Sequence, residues 1–171
     1  DEQDRDVAEG ESGQIVVRGQ PGVSLMAGYF RNPQATAETI RGEWLYTGDT
    51  GRLEADGYIA FVDRAKDVIK RAGENVATGE VERVVNEHPA VFDCAAIGIP
   101  DAMRDEAIKV FVVLREGRAL AEADLIAHCA ARLARFKVPS AVAFVAALPR
   151  TSVGKIQKHI LRAQEAARPP A

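Results

Sequence analysis

Asp56-Gly57, set between two short runs of alternating apolar residues, constrains the fold more than any other feature of this chain. An Asp-Gly pair turns a chain back on itself with little strain. Thr50 to Glu54 and Tyr58 to Val62 are therefore expected to form an antiparallel hairpin. The hairpin lies inside the stretch Tyr46 to Val76, YTGDTGRLEADGYIAFVDRAKDVIKRAGENV. That stretch opens on a Thr-Gly-Asp turn and closes on a run of Arg, Lys and Asp. So much fixed charge beside so many glycines exceeds what a purely structural loop needs.

A chain of 171 residues allows one ordinary domain, or a small domain plus part of another. Its hydrophobic content of 47% is enough to bury a core, and its net charge of −3 gives no broad electrostatic footprint for nucleic acid. The basic stretch Lys155 to Arg162 reads as a solvated helix face. Cys94 and Cys129 have neither metal-ligand nor disulfide-framework spacing and read as small core residues, which fits a reducing, cytoplasmic setting. No run approaches the roughly 18 apolar residues of a membrane span. No signal peptide is seen, and the chain begins in the acidic run DEQDRD, so a piece of a longer protein is expected.

Along the chain, Gln14 to Arg18 reads as a strand. Asn32 reads as the N-cap of a short helix over Gln34 to Ile40, with Pro33 at its start. Asp63 to Lys70 is a charged run, and Arg71 to Val76 a tight turn in which Gly73 is free to take positive φ. A helix is expected over Gly79 to Glu87, capped by Thr78 and burying Val81, Val84 and Val85, with His88-Pro89 ending it. Ala90 to Ile99, Ala107 to Leu114 and Ala141 to Val145 read as strands, and Leu120 to Leu133 and Ile156 to Ala166 as helices. Ala121 is a poor cap for the first of those helices. His88, His128 and His159 read as separate surface or capping residues. The fold class is α+β: a sheet of about three strands flanked by helices, preceded by a β-rich tail.

The run Tyr46 to Val76, together with Pro149 to Lys158 (PRTSVGKIQK), resembles the hinge and the C-terminal lysine loop of the adenylate-forming superfamily: acyl-CoA synthetases, peptide-synthetase adenylation domains and luciferases. GESGQIVVRG and MAGYFRNPQAT resemble the end of that family's large N-terminal domain. The resemblance implies residues 1–63 as the end of that domain, 64–67 as a hinge and 68–171 as a mobile C-terminal lid. It implies that Asp49 holds the ribose hydroxyls of the nucleotide, whose two adjacent donors suit two carboxylate oxygens. An isolated Asp there would only cap its own turn. Arg64 is implied on the ribose and phosphate side, and Lys66 at the pivot. Lys70 and Gly73 are implied as cofactor-binding, with the backbone about Gly73 beside the pantetheine arm of coenzyme A. A charged edge strand and a plain hairpin turn are the structural alternatives for these segments.

Lys155 is implied as the catalytic lysine of adenylation. The implied reaction joins a carboxylic acid to ATP as acyl-AMP, turns the lid about Lys66, and passes the acyl group to coenzyme A. Mg2+ would be held mainly by the N-terminal domain, which is the first expected partner and carries the acyl pocket. The fragment alone is expected to be inactive. KRAGENV with RDEAIKVFVV resembles carnitine/crotonobetaine-type and medium-chain acyl-CoA ligases, enzymes of fatty acid metabolism. A lysine acetyltransferase or deacetylase acting on Lys155 is a further expected partner. Two alternatives stay open: the lid of an adenylation domain loading a carrier protein, and an isolated lid recognised for lysine acetylation.

Overall fold

The computed structural model describes residues 1, 3–64 and 67–167, and the chain divides into two units, Asp1–Lys66 and Asp67–Ala171. The expected pivot, Lys66, lies outside the described residues.

In the first unit, β1 (Ser12–Arg18), β2 (Ile40–Arg41) and β4 (Ile59–Arg64) each pair antiparallel with the long β3 (Trp44–Leu53). Helix α1 (Pro33–Thr39) starts as expected: Asn32 Oδ1 accepts the Ala35 N–H at 3.0 Å, and Pro33 occupies the first turn. The β3–β4 turn differs from a two-residue Asp-Gly turn. The Glu54 N–H donates to the Tyr58 carbonyl at 2.8 Å, closing a loop of Ala55, Asp56 and Gly57 in which Gly57 takes φ +85°. That is a three-residue hairpin loop, with glycine at its left-handed position. The unit's sheet carries exposed apolar side chains, among them Val16, Val17, Trp44, Ile59 and Phe61. Every buried apolar side chain among the described residues lies at Ile69 or beyond.

The second unit has its own core. Its sheet runs β6 (Glu74–Val76), β5 (Ile69–Arg71), β8 (Asp105–Leu114), β7 (Val91–Asp101), and β9 (Ala141–Phe144) lies parallel to β8. The sheet has five strands rather than about three, because the segment expected to be only a turn forms the β5–β6 hairpin and adds two. β7 and β8 are apolar on both faces, as strands covered on both sides must be. Ala96, Ile108, Val110 and Val112 pack with α2 (Thr78–Asn86) and α3 (Glu122–Ala130) through Val81, Val84, Val85, Leu125 and Cys129. Ala95, Ile97 and Phe111 face the other way, onto Leu148 and onto Leu161 of α4 (Lys158–Ala166).

Two expectations change in this unit, and one buried charge is new. The N-cap of α2 is Ala77, not Thr78: Thr78 is buried inside the helix, and its Oγ1 meets Lys158 Nζ at 2.6 Å. His88 and His128, distant in sequence, meet edge to face with ring centroids 5.1 Å apart. His88 still caps, its Nδ1 accepting the Ala90 N–H at 3.2 Å, and burial lowers its pKa. Lys109 lies in the middle of β8, yet it is buried, with its Nζ 2.7 Å from Glu165 Oε2 and 5.5 Å from the Phe111 ring centroid. Both cysteines are free and buried. Burial pushes the Cys129 thiol up to about 11, and burial with Glu82 nearby pushes the Cys94 thiol higher. Among the described residues, no helix is long and apolar enough to cross a membrane.

Helix α3 starts at Ala121 with extended backbone, φ −82° and ψ 148°, and no side-chain bond to its open N–H groups. Serine fits that conformation and supplies the missing acceptor. Ala121→Ser is expected to raise stability by about 1 kcal/mol in urea unfolding followed by circular dichroism; an unchanged midpoint would count against the cap.

Candidate active-site elements

The residues singled out in the sequence form three groups. In the first unit, Thr47-Gly48-Asp49 is an irregular point within β3. Gly48 takes φ +76°, Thr47 Oγ1 donates to the Ile15 carbonyl at 2.7 Å, and the same hydroxyl accepts the Asp49 N–H at 3.1 Å. These bonds fix the backbone that carries Asp49. Across the strand pair stands Arg64, whose Nε donates to Asp49 Oδ1 at 3.2 Å. Both side chains remain accessible, at 33% for Asp49 and 48% for Arg64, so the pair offers a polar ligand a carboxylate and a cation together.

The second group is the β5–β6 hairpin. Ala72 and Gly73 are its two turn residues, at φ +52° and +82°, the positive pair that a type I′ turn requires. A Cβ on Gly73 would meet nothing within 4 Å, so within this chain the need for glycine is conformational and not one of space. Lys70 is exposed, and its backbone N–H donates to Glu106 Oε2 at 2.8 Å. Arg71 is buried and ties the hairpin to the following layer, donating to the carbonyls of Phe136 at 3.1 Å and Val138 at 2.7 Å.

Lys155 sits in the third group, a loop closed on itself. The Thr151 N–H donates to the Lys155 carbonyl at 2.8 Å, the Lys155 N–H to Thr151 Oγ1 at 3.1 Å, and the Gly154 N–H to the Thr151 carbonyl at 2.9 Å. Arg150 pairs with Ile156, and its guanidinium reaches both the Gly154 carbonyl and the Asp93 carboxylate of β7. Lys155 itself is exposed. The hairpin joins the sheet at Arg71–Asp105 and the lysine loop is tied at Asp93. Roughly 25 Å of strand along β7 separates these attachment points.

The helix after the loop corrects one reading. The stretch Lys155 to Arg162 is not simply a solvated face: Lys158 Nζ meets Glu82 Oε1 at 2.8 Å and Arg162 pairs with Asp67 Oδ1 at 2.7 Å. With Glu165 on Lys109, three charged positions of one α4 face hold α2, the segment before β5, and β8. Their spacing, one helical turn apart, is the signal in the sequence that marks them as a stripe.

The family model of the AMP-binding enzyme C-terminal domain matches residues 80–155. A crotonobetaine/carnitine–CoA ligase from Salmonella heidelberg (strain SL476) is 45% identical over 163 residues, 95% of this chain and 32% of that protein. The structure of an amide bond synthetase from Marinactinospora thermotolerans superposes with a TM-score of 0.82 at 35% identity, covering 96% of this chain and 33% of that one. An anthranilate CoA ligase in complex with anthranoyl-AMP gives 0.84 at 36% identity, covering 96% and 32%. The chain thus spans about a third of the length of the curated relatives it matches.

Ala72 occupies a left-handed conformation that costs a residue with a β-carbon about 1–2 kcal/mol. Part of that is recovered by the lower entropy of its unfolded state. Ala72→Gly is expected to stabilise the second unit by up to about 1 kcal/mol, and Ala72→Val to destabilise it, in chemical denaturation. The reverse order would remove the type I′ assignment.

Proposed function

Since this chain carries the C-terminal domain of the AMP-binding, adenylate-forming enzymes, we propose that the protein it belongs to is an ATP-dependent carboxylate–CoA ligase in which Lys155 is the catalytic cation. The observation that carries this reading is the closed loop of Thr151 to Lys155, which fixes the lysine's backbone and leaves its long side chain exposed. In adenylation a carboxylate oxygen forms a bond to the α-phosphorus of ATP and pyrophosphate leaves. Two anions must meet, and negative charge builds up on the phosphate. A cation aimed at that charge is worth about 10²–10³ in rate.

The other groups take complementary parts. Asp49 offers its carboxylate oxygens to the ribose hydroxyls, with Arg64 holding Oδ1 and presenting positive charge toward the phosphate. Lys66 is the pivot about which the lid turns. Lys70 and the Gly73 turn then face coenzyme A, whose thiol attacks the acyl carbonyl and expels AMP. This division is supported by the attachment of hairpin and lysine loop at well-separated points of one sheet, so that a single rotation withdraws one and presents the other. The part of the protein upstream of this chain would cover the bare apolar side chains of the first unit, hold Mg2+ and select the carboxylic acid. The choice of coenzyme A as acceptor is supported by the relatives named as CoA ligases.

In the intact enzyme, Lys155→Ala is expected to lower carboxylate-dependent ATP–pyrophosphate exchange by about 10²–10³-fold and to leave thioester formation from supplied acyl-adenylate nearly unchanged. Equal losses in both half-reactions would refute the division of labour. An acetyltransferase acting on Lys155 would remove the same charge and switch off the same half-reaction, with a deacetylase restoring it. Acetylated enzyme that retains full exchange would count against both proposals.

A further inference from the structure

The lysine loop is tied to the second unit by two anchors of different character. At its exit, Lys158 is sunk between Thr78 and Glu82. That anchor seats α4 against α2 whatever the loop does. At its entry the tie is Arg150. The guanidinium donates to the carbonyl of Gly154, the peptide group directly before Lys155, and to the carboxylate of Asp93 on β7.

Stability gives little reason for this second anchor. The Arg150 side chain is 44% exposed and that of Asp93 22%, and ion pairs in such settings add little to folding. Its geometry suits another task. A guanidinium holds two acceptors in one plane, which a lysine ammonium does not. Gly154, at φ +83°, is a position where the backbone is held by no side chain of its own. The orientation of its carbonyl sets the peptide plane from which Lys155 departs, and Arg150 fastens that carbonyl to a buried strand.

We propose that Arg150 is a positioning residue for Lys155, holding the 154–155 peptide against β7 through Asp93 so that the ammonium arrives at the reacting phosphate in one orientation. The proposal rests on the role of Lys155 given above. Misplacement of a reacting group by about 1 Å can cost about 10²-fold in rate.

The test uses the intact enzyme and four variants: Arg150→Ala, Asp93→Asn, Lys155→Ala, and Arg150→Ala with Lys155→Ala. Asp93→Asn keeps the side chain's size and an oxygen for the Cys94 N–H, which Asp93 Oδ1 accepts at 2.9 Å. It therefore serves if Arg150→Ala folds poorly. Each of the first two is expected to lower kcat for ATP–pyrophosphate exchange, by about 10²-fold for Arg150→Ala, with KM for ATP and thioester formation from acyl-adenylate unchanged. The double variant should be no slower than Lys155→Ala alone, because a positioning group loses its effect once its target is gone. Multiplicative losses in the double variant would overturn the proposal, as would equal losses in both half-reactions. If Lys155→Ala abolishes exchange while Arg150→Ala and Asp93→Asn leave it intact, only the positioning role falls. If Lys155→Ala itself retains exchange, the proposed function falls and the positioning role with it.

Discussion

The burial of β7 and β8 on both faces is the constraint on which the second unit depends. Val110 and Val112 look toward α2 and α3, while Phe111 between them looks toward α4. One strand therefore organises two separate apolar clusters, and removing either helical layer would strip a face of the sheet. The same ladder receives the Gly73 hairpin at Asp105 and the lysine loop at Asp93. A platform covered on both sides deforms little, because packed interiors resist small shifts. Groups fastened to it consequently move with it as one body.

Much of this was legible in the sequence, for reasons that are local. Val81, Val84 and Val85 sit at helical spacing, Asn32-Pro33 marks a helix start, and the long apolar runs about Cys94 and Val110 announce strands covered on two sides. Turn residues also located the loops that hold Asp49, Gly73 and Lys155. What escaped depends on partners far away along the chain. Arg150 meets Asp93 across 57 residues, and Arg162 meets Asp67 across 95. No periodicity reports such pairs. Thr78 was misread because a threonine before an apolar helical run usually caps it; here a distant lysine claims the hydroxyl. The short β5 and β6 were hidden by their length, since three residues on each side of a turn leave no repeat to detect.

The two units differ in what they can stabilise alone. The second closes around its own clusters. The first spreads Val16, Val17, Ile59 and Phe61 over a sheet, and among its described residues no apolar side chain is buried. Hydrophobic burial is the main favourable contribution to folding, so a sheet with this surface draws its stability from whatever covers it. The curated relatives that this chain matches extend to about three times its length.

Lys109 and Glu165 have a consequence of another kind. Helix α4 spans only Lys158–Ala166 and buries one apolar side chain, Leu161. So slight an apolar face could seat in neighbouring frames, displaced along the sheet by one turn, about 5.4 Å. An ion pair with little access to water discriminates among those frames sharply, because any slip strands an uncompensated charge in the interior. Lys109 thus acts as an alignment pin: whatever it adds to the energy of the native state, it penalises the near-native ones. The frame it selects is the one from which the preceding loop takes its starting point.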